Sequence, residues 1–396
     1  MRTRTDTPEF LPGISATVRA FLIFSGSNTR AVVTFCRALA SRGLGVHIVA
    51  RTHQDPIFRT RYRRNVVAMR TLDRLDFADV DRCIREARLK TGAQEFVISP
   101  ASEFLNLFLL ENPDFFASRG CNIPLVDLDL YRRVSDKHSF SRICQGQGVS
   151  IPREVSLDTF SYFPFVAKPR HNVLADKRSL YPYLIHGAED LATFRQNENV
   201  ADFYFEEFVV GPTFYLLYYL SRHGEVTAWS QQNLIQQPGG KSIVLAKAAQ
   251  IHDDPIAERF IDILQGLGFW GLAMIEIIRR DDEMVFIELN PRFWGPFQLL
   301  LNAGSPIIDR FIDDQLDLQP STYPLPAHPE ASYLWLGGMA ESRAVGKKLK
   351  WHISPPRHRT LFVASHLWSD VYLRPDTTGL FFHELSQAIR SRFTRS

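Results

Sequence analysis

The chain has 396 residues, 45% of them apolar and 22% charged, with a formal net charge of +3. That length accommodates about two or three domains, each with its own core, and the near-neutral balance excludes a protein built around nucleic-acid or membrane charge. The four cysteines (Cys36, Cys83, Cys121 and Cys144) lack C-x-x-C spacing and the twelve histidines lack H-x-x-x-H or H-E-x-x-H spacing, which excludes a zinc site on pattern and points to reduced, buried thiols in a cytoplasmic protein.

The first residues are polar and no apolar run follows them, so no signal peptide is expected. The longest apolar stretch, Phe208–Leu220, contains Gly211, Pro212 and Thr213 and is too short to span a bilayer. Arg2 and Arg4 at one end, with Arg390, Arg392 and Arg395 at the other, read as solvated termini rather than a polybasic tether.

The first third, 1–130, alternates strand and helix. Ala20–Ser25 is an apolar strand, Gly26-Ser27-Asn28 a turn and Thr29–Arg42 a helix that Gly43 and Gly45 end. Strand Val46–Ala50, helix Phe77–Lys90 and strands Glu95–Ile98 and Ile123–Val126 continue the rhythm. The spacing predicts a parallel βαβ, Rossmann-like domain. Its first turn lacks G-x-G-x-x-G, and Arg51 stands where an acid would hold a ribose, so the turn reads as scaffold with an N-cap.

From Tyr131 the texture changes. Val134–Gln147 reads as a helix, Gly148–Pro152 as a turn, Phe163–Lys168 as a strand, Ala188–Gln196 as a helix and Phe203–Val209 as a strand. Thr213–Ser221 and Val226–Gln236 flank a His223-Gly224 turn, and helix Pro255–Gly266 follows. After Asp317 come Pro320, Pro324, Pro326 and Pro329, a linker signal before a mixed tail over 331–396. The expected divisions are 1–130, 131–318 (split near 210) and a C-terminal region over 319–396. The overall class is α/β, with α+β character in the central part.

Gly271–Gly295, GLAMIEIIRRDDEMVFIELNPRFWG, carries the chemistry. Two apolar runs flank a polar tip, a hairpin signal. With Asp281–Glu283 as the loop, Arg280 faces Met284, Ile278 faces Phe286 and Glu276 faces Glu288. Directly opposite side chains lie ~4.5–5.5 Å apart at Cβ, so two carboxylates would repel inside apolar strands. A divalent cation removes that conflict. Glu288 and Asn290 share a face at period two, and with Glu276 they offer the hard oxygens that Mg²⁺ takes beside phosphate. Arg292 falls on the same face and is suited to a phosphoryl group. A solvent-facing strand whose charges never meet does not fit, because Ile275, Ile277, Ile287 and Leu289 need one buried face and Met274 and Phe286 another.

Phe286–Gly295, FIELNPRFWG, resembles the metal-binding signature of the ATP-grasp superfamily, in its carboxylate–amine ligase and carbamoyl-phosphate-synthetase-like branch. Ser135-Asp136-Lys137 with Gly148-Val149-Ser150-Ile151-Pro152 resembles the segment that opens the module. Phe163–Pro169 looks like the strand that ends in the phosphate lysine, and Phe205–Gly211 like the adenine hinge. The resemblance spans about residues 131–313, and four motifs in order make it specific.

It implies a pre-ATP-grasp domain, a two-part ATP-grasp fold and an ATP- and Mg²⁺-dependent carboxylate–amine ligase, with Mn²⁺ able to substitute, working through an acyl phosphate; the alternatives are another phosphoryl-transferring or carboxylating ATP-grasp enzyme, or a degenerate, non-catalytic nucleotide-binding module. Lys137 and Lys168 would contact phosphates, and Lys168 and Arg292 are the implied catalytic groups. Glu206, Glu207, Phe208 and Val209 form the implied adenine hinge. Glu276, Glu288 and Asn290 would hold the metal. Val166, Phe208, Ile275 and Ile287 line the adenine slot or serve as core. In place of the family's glycine-rich loop stands Pro169–Asp176, with Arg170 and His171 either closing over the triphosphate or simply exposed. Thr213 stands where an acid would hold the ribose. A mobile flap is expected near 171–184. The Gln237–Ser242 loop is either an acceptor contact or a tight turn, and Trp294 and Phe297 are either core or pocket. The expected partners are a small carboxylate and an amine, without nucleic acid or membrane, and a homodimer is allowed for.

Overall fold

In the computed structural model, which describes residues 19–157, 162–170, 180, 182–319 and 328–393, the chain builds three sheets. The first holds β1 (Arg19–Phe24), β2 (His47–Ala50), β3 (Val66–Met69), β4 (Glu95–Ile98) and β5 (Cys121–Asn122). All pairings are parallel, in the order β3-β2-β1-β4-β5. The continuous apolar run Phe21–Phe24 suits a middle strand covered on both sides, and all four residues are buried. Helix Phe77–Thr91 starts at the Asp76 cap and stops at Gly92, whose φ of 70° closes the last turn. Ile123–Val126, expected as a strand, is not one. Pro124 has no N–H to give a ladder, so pairing stops at Asn122, and Leu125 and Val126 join a core instead.

The second sheet holds β6 (Phe165–Pro169), β7 (Tyr183–Ile185) and β8 (Phe203–Glu207), with β6 in the middle and antiparallel to both neighbours. Phe165, Ala167, Phe203 and Phe205 point into a small core with Leu191 and Phe194 of helix Ala188–Asn197. Period two therefore sends Lys168, Tyr204 and Glu206 to the other face. Residues 171–179 and 181, most of the expected flap and of the loop after Lys168, lie outside the described residues.

The third sheet holds β9 (Thr213–Leu220), β10 (Val226–Gln236), β11 (Ile243–Ala249), β12 (Gly271–Arg280), β13 (Glu283–Asn290), β14 (Ser332–Leu334) and β15 (Lys350–Trp351). Its order is β13-β12-β9-β10-β11-β14, with β15 against β10. One face (Leu216, Tyr218, Ile275, Ile277, Phe286) packs with Tyr131, Phe140 and Phe260 from three helices. The other (Tyr215, Leu217, Tyr219, Met274) merges with the core of the first sheet. Strand β11 was not foreseen. Nor were β14 and β15, through which the region after the linker joins the central sheet. Residues 320–327, the heart of that linker, lie outside the described residues.

The expected helix Val134–Gln147 is two helices, Leu128–Ser135 and Lys137–Gly146. Asp136 adopts an extended ψ of 117° and accepts from the Ser139 N–H at 2.7 Å, so it caps the second helix and ends the first. No described helix is long and apolar enough to cross a membrane.

Asp79 gives a test of the first sheet's helix packing. It is buried and accepts from the backbone N–H groups of Thr71 and Leu72, from the Thr71 hydroxyl and from Arg82. Burial alone would raise its pKa, but those donors hold it down, to about 2. A depressed carboxylate stabilises the fold above its unfolded pKa and loses that contribution as pH falls toward the folded value. Asp79→Asn should therefore cost about 1–2 kcal/mol at neutral pH. The gap from wild type should close between pH 4 and 2 in urea titrations, as the ordinary and lowered carboxyl values require.

Candidate active site

The centre of the site is set by a register. At the hairpin tip Arg280 pairs with Glu283 and Ile277 with Phe286, and that register continued would bring Glu276 opposite Ile287. A bulge at Ile287 shifts it by one, so Glu276 pairs with Glu288, Ile275 with Leu289 and Met274 with Asn290. The expected facing of the two glutamates is present. The expected three-residue loop is not: Asp281-Asp282 alone turn the chain, Asp281 at φ 52°, and Arg280 and Ile278 meet Glu283 and Val285 instead.

Glu288 is held from several sides. Lys137 at the start of its helix, placed there by the Asp136 cap, brings Nζ to 2.8 Å from Glu288. Asn290 Nδ2 donates to Glu288 Oε1 at 2.8 Å, and Arg292 Nη2 donates to Asn290 Oδ1 at 2.8 Å. Burial would push the Glu288 carboxyl up, but Lys137, Asn290 and Arg292 bring it well below the usual range. Glu276 goes the other way, raised by burial and then by Glu288 beside it, with Lys137, Lys350 and Lys168 pulling it back in that order. Three lysines from three separate parts of the chain thus act on one carboxylate.

Among the described residues no group of three His, Cys, Asp or Glu side chains is placed to hold a metal. The donor set here is sparser: two carboxylates and one amide oxygen. That set suits Mg²⁺, which keeps positions for water and phosphate, better than a cation needing a full protein cage. The opposed glutamates supply the negative charge such an ion would answer, so the residues fit the group.

Lys168 and Glu206 were expected at opposite ends of a nucleotide. They form an ion pair with each other, 7% and 3% exposed, because pairing of Val166 with Glu206 and Lys168 with Tyr204 sets them diagonally on one face. Glu207 points away. Its carboxylate accepts from Arg280 Nη1 at 2.8 Å and from the Arg153 N–H at 3.1 Å, fastening the hinge to the hairpin tip. Val209 packs on Ile278, Val285 and Ile287, and Gly211 is essential there, since a Cβ would lie 1.9 Å from the Arg279 carbonyl oxygen. Ile275 faces the helices on the far side of the sheet and is core. Trp294 and Phe297 are likewise core, 1% and 0% exposed. Pro238–Gly240 makes the tight turn between β10 and β11, with Gly239 and Gly240 at φ 74° and 68°.

The Thr213 hydroxyl is fully buried and engaged. His352 Nδ1 lies 2.7 Å from it and His352 Nε2 2.9 Å from Gln236 Oε1. Gln236 Nε2 donates to the Lys241 carbonyl, which orients the amide, so the imidazole donates from Nε2 and accepts the Thr213 proton at Nδ1. Burial pushes His352 down to about 3, consistent with a neutral ring.

Two groups escaped the sequence reading. Lys350 on β15 places Nζ 5.0 Å from the centre of the Phe208 ring, between hinge and carboxylates. A lysine in a basic KKLK run after a proline-rich linker carries no local mark of a site. Gln231 and Asn233 on β10 are the second group. Gln231 lies opposite Tyr215, which lies opposite Glu276, so a polar row Glu288–Glu276–Tyr215–Gln231 crosses four strands. Gln231 Nε2 donates to Asn233 Oδ1 at 2.7 Å, leaving Gln231 Oε1 and Asn233 Nδ2 buried without a partner among the described residues. The period-two pair in WSQQNLIQ was the available signal.

The scaffold turn of the first sheet also reaches the site. Asn28 does not cap its helix with its side chain; Nδ2 donates to the carbonyls of Phe293 at 3.0 Å and Ala101 at 3.3 Å. Gly26 there sits at φ 86°, where a Cβ would meet Arg51 at 2.3 Å.

No protein-family model matches the sequence, and no curated protein sequence matches it. Solved structures do share its fold. The ADP complex of an N5-carboxyaminoimidazole ribonucleotide synthetase superposes with a TM-score of 0.59 at 13% identity, over 84% of this chain and 85% of that one. The biotin carboxylase domain of Hydrogenobacter thermophilus 2-oxoglutarate carboxylase, with MgADP, ADP and bicarbonate, gives 0.56 at 15%, over 77% and 71%. The N5-carboxyaminoimidazole ribonucleotide synthetase of Thermus thermophilus gives 0.54 at 15%, over 76% and 79%. The fold is the ATP-grasp fold.

Removing Lys137 leaves Glu288 short of its nearest cation. Lys137→Met should destabilise the chain by about 1–3 kcal/mol. Lys137→Met with Glu288→Gln should recover most of that loss in a denaturation double-mutant cycle; additive losses would deny the coupling.

Proposed function

We propose that this chain is a Mg²⁺- and ATP-dependent ligase that joins a small carboxylate to an amine through an acyl phosphate. One observation carries the reading: two glutamates meet across β12 and β13, with Asn290 and Arg292 next on that face and Lys137 paired with Glu288. Folding alone gains nothing from opposed carboxylates. Glu276, Glu288 and Asn290 would hold Mg²⁺, which when bound supplies charge neutralisation for the phosphates.

The protein's own groups divide the remaining work. Lys137 and Lys168 exchange their carboxylate partners for the polyphosphate, one anion for another. Release of Lys168 frees Glu206 to accept from an adenine amino group, while the Phe208–Val209 backbone borders the ring. Arg292 turns from Asn290 to the phosphoryl group as the substrate carboxylate attacks the γ-phosphorus and ADP leaves. The amine then attacks the acyl carbon and expels phosphate, losing its proton. Gln231 Oε1 and Asn233 Nδ2 offer an acceptor and a donor to a polar substrate on the same face.

A second reading takes bicarbonate as the acid, because one similar structure is a complex with MgADP, ADP and bicarbonate. Both readings make the same demand on nucleotide. Saturating ATP with Mg²⁺, at a hundred times its Kd, should stabilise the wild-type chain by about 2.7 kcal/mol and leave Glu288→Ala unshifted. ADP release should require an acid and an amine together in a small substrate library, and should fall at least ~100-fold in Arg292→Ala. Release driven by bicarbonate, with a carboxylated product, selects the second reading. A chain that neither shifts with ATP nor releases ADP is no ligase.

A further inference from the structure

Away from the ATP-grasp cleft, a groove of 890 Å³ runs between residues 58–64 and the last described helix, Thr378–Phe393. Its lining includes Arg59, Arg61, Arg63 and Arg64, with His383 and Phe382 opposite. All four arginines are exposed, and among the described residues none of them is paired with a carboxylate. The one acid lining the groove among the described residues, Asp376, is already spoken for: Arg37 Nε and Nη2 reach its two oxygens at 2.7 and 3.2 Å. Its charge therefore does not answer the four guanidinium groups.

The local fold forces those arginines together. Thr60 accepts from the Tyr62 N–H and begins a short 3-10 turn, the Arg61 N–H donates to the Asp376 carbonyl, and Tyr62 is buried. With Tyr62 and Thr60 inside, the residues on either side of them must point out. Gly379 lets the helix come in close, since a Cβ there would lie 2.7 Å from the Arg59 carbonyl oxygen. Phe382, 61% exposed on the groove wall, and Ile389, 58% exposed two turns on, lie along one stripe of the helix. Like charges gathered in a concave site, with no unpaired counter-charge among the described residues, raise the potential there and favour a multiply charged anion. Guanidinium forks match phosphate oxygens in pairs, and the volume suits a small-molecule ligand. A second copy of this chain is a poor occupant, because a two-fold contact would set arginines against arginines.

We infer that this groove is a binding site for a phosphate-bearing anion, separate from the nucleotide cleft and independent of the ligase reading. The phosphate has two sources, a soluble organophosphate or an anionic lipid headgroup, with Phe382 and Ile389 entering the apolar layer in the second case.

Inorganic tripolyphosphate is the probe, titrated calorimetrically into full-length Lys168→Ala, which removes one of the phosphate lysines assigned to the cleft. Binding should persist there, weaken at least tenfold when Arg61→Gln and Arg64→Gln are added, and recover in part with Arg61→Lys and Arg64→Lys. Circular dichroism confirms that each variant is folded. Co-sedimentation with phosphatidylserine-containing vesicles but not with pure phosphatidylcholine, lost in Phe382→Ser, assigns the lipid source. Tripolyphosphate binding without sedimentation assigns the soluble one. Binding unchanged by the arginine substitutions, or no binding of either probe, overturns the site. So does tight binding of an RNA duplex by a chain that ignores tripolyphosphate and vesicles.

Discussion

Two glutamates held against each other are the constraint around which the rest of the molecule is arranged. Inside apolar strands, Glu276 and Glu288 repel and each is costly to bury charged. Their meeting depends on the single extra residue at Ile287, because a slip of one reverses which side chains face the site. Lys137, Asn290 and Arg292 offset the charge of Glu288, while Glu276 keeps the raised carboxyl that burial and its neighbour impose.

The surrounding parts are tied to that hairpin by polar contacts at its edges. Asn28 from the first sheet grips the Phe293 carbonyl, and the Phe293 N–H donates to Pro100 at 3.0 Å. Glu207 links the small sheet to Arg280 at the hairpin tip. His352, from beyond the proline-rich stretch, bonds Thr213 and Gln236 and so anchors β15, which carries Lys350 to the Phe208 ring. The same tether occupies the Thr213 hydroxyl, so a ribose contact there competes with a buried hydrogen bond.

Much of this was legible in the sequence, and for physical reasons. The alternation marks Glu276, Glu288 and Asn290 as the polar positions of two apolar strands; their facing was expected from a three-residue loop, and a two-residue turn with a bulge at Ile287 arrives at the same pairing. The ATP-grasp resemblance rested on four motifs in order, and the fold agrees with it. The bulge was not legible, because a bulged and an unbulged strand carry the same residue types. Ile123–Val126 failed because Pro124 weighed less than three apolar neighbours. The helix from Val134 failed because Asp136 was read as an opening residue without the preceding helix it closes. The Lys168–Glu206 pair, and the roles of Lys350 and Gln231, depend on strand partners distant in the chain, which local pattern does not report.

That the charge of Glu276 is offset by Lys137, Lys350 and Lys168 has a consequence for how this architecture can be taken apart. Each lysine arrives on a different structural unit, so the hairpin transplanted into another scaffold would bring its repulsion without its remedy. A truncation before residue 350 would likewise strip one of those cations, together with the His352 tether and the core residues Val371, Tyr372, Leu380 and Phe381. Swapping such units between related proteins is therefore constrained less by the backbone joint than by the electrostatic debt each piece leaves behind.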